Sequence, residues 1–381
     1  MYMQNNSKNC LYVIYGDKPK EMAISILEKM DIEQDLLELG KKEPLIGIKP
    51  NLVVAQPAEW GATTSPQLVR GVIEYLHAHG FKNTVILESS WIGDSTKKAF
   101  RVCGYEEISR HYGVQLIDLK QDKSQEFDVN GIKINVCSKA LRVDYLINMP
   151  VLKAHCQTKI TCALKNLKGC IPDTEKRRFH KLGLHHPIAC LNKILTTNLI
   201  IVDGIIGDLT HEEGGTPVRM NRVIGGRDPV LVDTYVAELM GYSAEDIEYI
   251  GISEKMGIGS TELTQDKIIE LNSSQKDPAV NEILASREVD YLSQWVIEDR
   301  ACSACYGSLI HALMRLKEKG KLKKLPKRIY IGQGYKDQKS PEIGIGLCTK
   351  KFKHNVPGCP PDAKKIVDFL ESIISRSTPS V

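Results

Sequence analysis

No stretch of this chain reaches the roughly 18 consecutive apolar residues that a membrane-crossing helix requires. Its opening, MYMQNNSKNCLYVIYGDKPK, lacks the basic start and apolar run of a secretory signal. Excess charge of one sign is missing too. The formal net charge is +4 over 381 residues, so composition calls for neither a nucleic-acid nor a membrane partner. The sequence contains no internal repeat and no long low-complexity segment. It has no G-x-G-x-x-G after a strand, no phosphate-cradling P-loop and no G-x-S-x-G. Nicotinamide binding, nucleoside-triphosphate binding and a nucleophile-elbow hydrolase are therefore not indicated. The expected location is the cytoplasm, where thiols stay reduced.

Cysteine, by contrast, is plentiful. The chain has 11, and in a reducing compartment these are metal ligands or buried thiols before they are disulfides. Length exceeds one ordinary core, so two domains, or one large domain with an appendage, are expected. PLIGIKPNLV from Pro44, TVILESS from Thr84, VDYLINMPVL from Val143 and NLIIVDGIIG from Asn198 read as strands. The last two are continuous apolar runs, as in strands buried on both faces. SPQLVRGVIEYLHAHG from Ser65 reads as a helix with Ser65 as N-cap, Pro66 at its first position and Gly80 as its stop. DPVLVDTYVAELMG from Asp228 repeats the device. Strand–helix alternation implies an α/β fold, a mostly parallel sheet with flanking helices. Loop-like text near Glu270 sets the expected division: residues 1–275 as the α/β domain and 276–381 as a smaller C-terminal α/β segment. That segment is expected to start with a helix containing WVIEDR and to close with one over PDAKKIVDFLESII.

Four cysteines fall in this segment. Cys302 and Cys305 are spaced C-x-x-C at the start of an expected helix, and Cys348 and Cys359 follow after a strand and a loop. A C-x-x-C turn aims two thiolates at one centre, and a helix N-terminus favours their charge. Cys359 sits in VPGCPPD, and cysteine followed by proline is a habit of bacterial ferredoxin ligands. An iron–sulfur cluster fits this set. Zinc is the rival, with His354 as a fourth ligand, although zinc knots usually pair two short-spaced couples. Four buried thiols are the plain alternative. The other seven cysteines have no ligand-like spacing as a set.

The chain's centre is rich in lysine. After the strand ending at Met149, a polar loop with Lys153 and His155 is expected, then a helix over QTKITCALKNLKG ending at Gly169. On such a helix Thr158, Cys162, Lys165 and Lys168 share one face. Lys49 and Asn51, and also Asp203, stand at other strand ends, where open α/β sheets bind ligands. Thr63 and Thr64 offer hydroxyls at a helix start, with plain capping as the alternative. The expected cleft thus takes a small anionic substrate. Lys49, Asn51, Thr63, Thr64, Asn166, Lys168 and Asp203 bind it, and His155, Lys153 and Lys165 are the catalytic candidates. A solvated lysine face is the competing account. HEEGGTPVR, from His211, reads as a lid or a turn.

KPNLV, TTSPQLVRGVIEYL, INMPVLKAHCQTKITCALKNLKGCIPD, IVDGIIG and DPVLVDTYVAELMG, in that order over roughly residues 40–260, resemble the domain of unknown function 362 family. The resemblance implies an architecture more than a reaction. Members of that family often carry iron–sulfur segments. Because only one set of four such cysteines is present here, the resemblance implies one 4Fe-4S cluster on Cys302, Cys305, Cys348 and Cys359. CSAC opening a helix and a late GCPP are similar in style to cluster-bearing small subunits of nickel–iron hydrogenases and respiratory complex I. The strand-end layout is similar to that of the nickel-pincer lactate racemase, a likeness of fold only. The expected function is a redox enzyme on a small anionic substrate, served by a redox partner protein. The alternatives are a non-enzymatic electron carrier or assembly factor, with the basic strip Lys317–Arg328 as its docking face, and a zinc-stabilised hydrolase or binding protein.

Overall fold

The computed structural model describes residues 9–276, 288–325 and 328–377. The chain divides into two compact units: Met1–Lys176 with Leu184–Ala285, and Arg177–Gly183 with Ser286–Val381. Among the described residues, no helix is long and apolar enough to cross a membrane.

The first unit contains the strands β1 (Leu11–Tyr15), β2 (Ile46–Pro50), β3 (Thr84–Glu88), β4 (Gln115–Asp118), β5 (Ser124–Val129), β6 (Ile132–Cys137), β7 (Tyr145–Met149), β8 (Lys153–His155), β9 (Lys159–Thr161), β10 (Leu199–Asp208), β11 (Pro217–Gly226) and β12 (Ile268–Glu270). Eight of them form one sheet in the order β12-β1-β11-β10-β7-β2-β3-β4. The pairs from β10 to β4 are parallel, while β11 runs antiparallel to both neighbours. This is the α/β architecture with a mostly parallel sheet read from the sequence. β1, β2, β3 and β7 are buried at every residue, which explains why their sequences do not alternate.

Topology places the site. From β2 the chain winds outward through β3 to β4, then returns to lay β7 on the other side of β2. The strand order reverses there, and the carboxyl ends of the strands flanking such a reversal are where open α/β sheets take ligands. The register sets Lys49 opposite Asn148 and Pro50 opposite Met149.

The helices that cover the sheet start where capping chemistry dictates. Ser65 Oγ accepts from Gln67 N–H at 3.3 Å, and Pro66 opens the helix Pro66–Ala78. That helix buries Leu68, Val69, Val72, Ile73 and Leu76 against the sheet. Asp228 accepts from the N–H groups of Val230 and Leu231, at 2.8 and 3.0 Å, and starts Pro229–Leu239.

Two expectations fail. QTKITCALKNLKG is not one helix. Its first half belongs to a hairpin of β8 and β9, which puts Lys153 and His155 on a strand rather than in a loop, and the helix is the short Ala163–Asn166. Lys159 holds φ +64, a left-handed conformation that breaks a right-handed helix. Asp233, 70 residues onward, accepts from Ala163 and Leu164 N–H at 2.7 and 3.2 Å and so fixes where the helix begins. Thr158 therefore shares no helix face with Lys165.

The second failure lies in the second unit. Its four-stranded parallel sheet, β13 (Val296–Glu298), β14 (Ile329–Ile331), β15 (Ser340–Ile345) and β16 (Phe352–Val356), is the smaller C-terminal segment. WVIEDR is thus strand β13 and the turn after it, because Val296, Ile297 and Glu298 pair with β14. The helix Ser303–Glu318 starts directly after Cys302, and Ala363–Ser377 closes the described chain.

Candidate functional site

At the carboxyl ends of β2 and β7, buried polar side chains close on one another. Lys49 Nζ lies 2.8 Å from Glu88 Oε2, with both side chains at most 3% exposed. Asn51 donates to Asn166 Oδ1 at 2.9 Å, and Asn166 donates to Asn148 Oδ1 at 2.7 Å. Lys153 is fully buried, and its Nζ donates to Asn51 Oδ1 at 3.1 Å, to Ala62 O at 2.6 Å and to Glu212 O at 2.9 Å. Burial pushes its ammonium down to about 7, and the Lys165 charge adds to that.

Glu212 is the residue that sequence reasoning missed. It sits in the HEEGG loop, which the structure pins in place. Asp208 accepts from the N–H groups of Thr210, His211 and Thr216, at 2.8, 2.7 and 2.9 Å. Glu212 Oε2 then lies 2.6 Å from His155 Nε2 and 3.2 Å from Lys165 Nζ. Burial alone would raise this carboxyl, yet His155 and the two lysines hold it well below its ordinary value. Burial pushes the His155 imidazole down to about 4, so the ring is neutral at pH 7. Its Nδ1 accepts from Gln157 and Thr158 N–H, at 3.0 and 3.1 Å. The proton of the neutral ring therefore belongs on Nε2, the nitrogen 2.6 Å from Glu212 Oε2.

The other expected binders have mixed placements. Lys168 lies close enough to His155 to lower its basicity. Thr64 Oγ1 donates to Met149 O at 2.7 Å and accepts from Asn51 N–H at 2.8 Å, tying β2 to β7. Thr63 Oγ1 donates to Gln56 O at 2.9 Å. Asp203 accepts from Ser65 and Ile205 N–H, at 2.8 and 3.1 Å, and burial pushes its carboxyl up to about 6. These hydrogen bonds hold the frame together. Glu88, at the end of β3, is the second missed residue, since a strand-end glutamate 39 residues from its lysine carries no local signal.

His155, Cys156 and Glu212 bring three metal-type ligand atoms within 4.8 Å of one another. The count suits a divalent cation, but the imidazole does not. A metal-bound histidine donates its second N–H outward, whereas His155 Nδ1 accepts from two backbone N–H groups. This ring is set to hold a proton toward Glu212.

The late cysteines gather in the second unit. Cys305 feels the charges of Cys302, Cys348 and Cys359, and its hydrogen bond to Cys359, with burial, pushes its thiol far up. The hydrogen bond from Cys305, supported by Arg177, draws Cys359 down to about 6. Gln333 Nε2 donates to Cys302 Sγ at 3.6 Å and to Arg177 O at 3.1 Å. Two donors thus face the sulfurs, and Cys302 caps the helix Ser303–Glu318, whose N-terminal dipole favours thiolates. Among the described residues, no three of these sulfurs lie within 4.8 Å of one another. One zinc would hold four sulfurs about 3.8 Å apart, from a Zn–S bond of about 2.3 Å and tetrahedral geometry. Four thiols with such donors beside them suit a soft metal centre, zinc or iron.

The family model described as domain of unknown function (DUF362) matches residues 46–238, more than half of the chain. The chain belongs to the DUF362 family. The matched segment runs from β2 into the helix Pro229–Leu239, so it holds the Lys49–Glu212 site and stops before the four late cysteines. A similar protein, "Thylakoid-associated protein sll1697" of Synechocystis sp., is 22% identical over 224 residues, 56% of this chain and 68% of its own length. The lactate racemase apoprotein of Thermoanaerobacterium thermosaccharolyticum is similar at 12% identity, with a TM-score of 0.39. That match covers 63% of this chain and 59% of the racemase chain, so this chain spans less than two thirds of it.

Proposed function

We propose that this chain is an iron–sulfur redox enzyme acting on a small anionic substrate. The observation that carries the reading is the gathering of Cys302, Cys305, Cys348 and Cys359 at a helix N-terminus, with Arg177 and Gln333 directed at their sulfurs. A 4Fe-4S cluster bound there supplies one-electron transfer, because four cysteine ligands leave no iron open to substrate. Arg177 offsets the negative charge that accumulates on such a centre, and the Gln333 N–H does the same for Cys302.

The first unit handles protons. Burial brings Lys153 down to about 7, the range that general acid–base work uses, while its three acceptors, Asn51 Oδ1, Ala62 O and Glu212 O, hold the ammonium form. His155 is neutral, and its free proton faces Glu212, so it positions that carboxylate rather than accepting protons itself. Four lysines, Lys49, Lys153, Lys165 and Lys168, stand against the carboxylates of Glu88 and Glu212. These lysines are the cationic donors that an anionic substrate group would call on.

Metal and acid-labile sulfide analysis on protein purified without oxygen tests the reading. The expected result is about four irons and four sulfides per chain, with a broad visible band that bleaches on reduction. Cys359→Ala should lose both. Zinc with no chromophore, or a chromophore unaffected by Cys359→Ala, would overturn it.

A further inference from the structure

Of the four cysteines, Cys359 is exposed and the other three are partly buried. Leu347 stands beside it, since Leu347 N–H donates to Gly358 O at 2.8 Å. This leucine is 52% exposed. Cations surround the pair. Arg177 is hydrogen-bonded to Cys359, and Lys336 is near enough to act on the Cys348 thiol. Lys350 and Lys351 follow the turn that carries Cys348, and all four cations are exposed. Asp337, the acid beside them, is already held by Lys351 at 2.9 Å, so the collar keeps a positive surplus. The strip Lys317–Arg328 is a poorer docking face. Its Lys317 is paired with Glu288, and Lys319 and Lys321 share Glu371, while Pro326 and Lys327 lie outside the described residues.

We propose that this collar docks a small acidic one-electron carrier protein, an inference that rests on the cluster reading above. An apolar tip ringed by cations, at the edge where a cluster's electrons come nearest the solvent, suits a redox encounter. Such encounters are small and brief, and charge rather than buried area selects the partner and sets the on-rate. The reduced carrier gives one electron to the oxidised cluster. The carrier is oxidised, the cluster is reduced, and no bond is made or broken.

The test is stopped-flow reduction of the full-length, cluster-loaded protein by a reduced acidic [2Fe–2S] ferredoxin, at low and high salt. For the wild type, the second-order rate should fall steeply as the screening length shrinks from about 30 Å at 0.01 M to about 3 Å at 1 M salt. Lys336→Glu/Lys350→Glu should lower the low-salt rate at least about tenfold and flatten its salt dependence. Lys323→Glu/Lys324→Glu, on the linker strip, should leave the rate unchanged. Dithionite should reduce all three proteins alike. If the charge-reversed protein does not load its cluster, Lys336→Gln/Lys350→Gln is read the same way. A salt-independent wild-type rate, or an equal loss in the linker control, overturns the docking surface while the cluster reading stands. A wild type without the chromophore brings down both.

Discussion

Replacing Glu212 by glutamine tests the first unit's site most directly. The substitution keeps the shape and removes the charge. Oε2 of this residue lies 2.6 Å from His155 Nε2 and 3.2 Å from Lys165 Nζ, and neither Glu212 nor Lys165 exceeds 7% side-chain exposure. Without the carboxylate, the Lys165 ammonium keeps the Thr161 hydroxyl, 3.3 Å away, as its remaining hydrogen-bond acceptor. Removing one partner of a buried pair typically costs about 3–5 kcal/mol, most of it the cost of the stranded charge. Glu212→Gln should therefore lower the unfolding free energy of the first unit by about that amount, read from urea titration. If the cost is the stranded charge, Lys165→Met added to Glu212→Gln should recover a large part, because no buried cation is then left unpaired. A loss below about 1 kcal/mol, the range of exposed pairs, would refute the buried pair. A double variant no more stable than Glu212→Gln alone would refute the coupling.

The same site predicts a pH signature and a packing limit. The folded-state value of His155, about 4, lies below the ordinary 6.5, so the native state binds this proton less readily than the unfolded chain. The stability it contributes is present above about 6.5 and lost as pH falls through about 4, a swing of about 3 kcal/mol. Stability curves of the wild type and His155→Gln should therefore converge on acidification across that window, and parallel curves would refute the neutral buried ring. Gly169→Ala should destabilise by about 1–3 kcal/mol, because an added Cβ would run into Glu88 Oε1 and Lys49 Nζ, the paired groups of a buried ion pair. Thermal melts would show it, and an unchanged midpoint would mean that the Lys49–Glu88 pair does not pack against this glycine.

Much of the frame is legible because its signals are local. β2, β3, β7 and β10 are apolar runs, and two helices announce themselves through Ser65-Pro66 and Asp228-Pro229. The cationic half of the site is legible too, since Lys49, Lys153 and Lys165 are conspicuous near strand ends. Its anionic half is not. Glu88 meets Lys49 across adjacent strands, and Glu212 reaches His155 from a loop 57 residues away that only the sheet topology brings near. The misread helix has the same cause. Its start is set by Asp233, which belongs to another helix, while Lys159 adopts a conformation that residue type alone rarely signals. WVIEDR is a strand because β14 offers it a partner, and strand preference depends on such neighbours more than on the segment itself.

What separates the two donor sets is the occupancy of their lone pairs. At His155 two backbone N–H groups occupy Nδ1, and the carboxylate of Glu212 lies between an imidazole N–H and an ammonium. A cation entering there would have to displace Lys165 and deprotonate an imidazole that burial already keeps neutral. At the cysteines the neighbours work the other way. Arg177 and Gln333 donate toward the sulfurs, and the helix dipole adds to them, so these groups favour the thiolate form that a metal ligand requires. Backbone donors around His155 thus suit protons, and side-chain donors around Cys302 and Cys359 suit electrons. Under the function proposed above, proton handling belongs to the first unit and electron handling to the second.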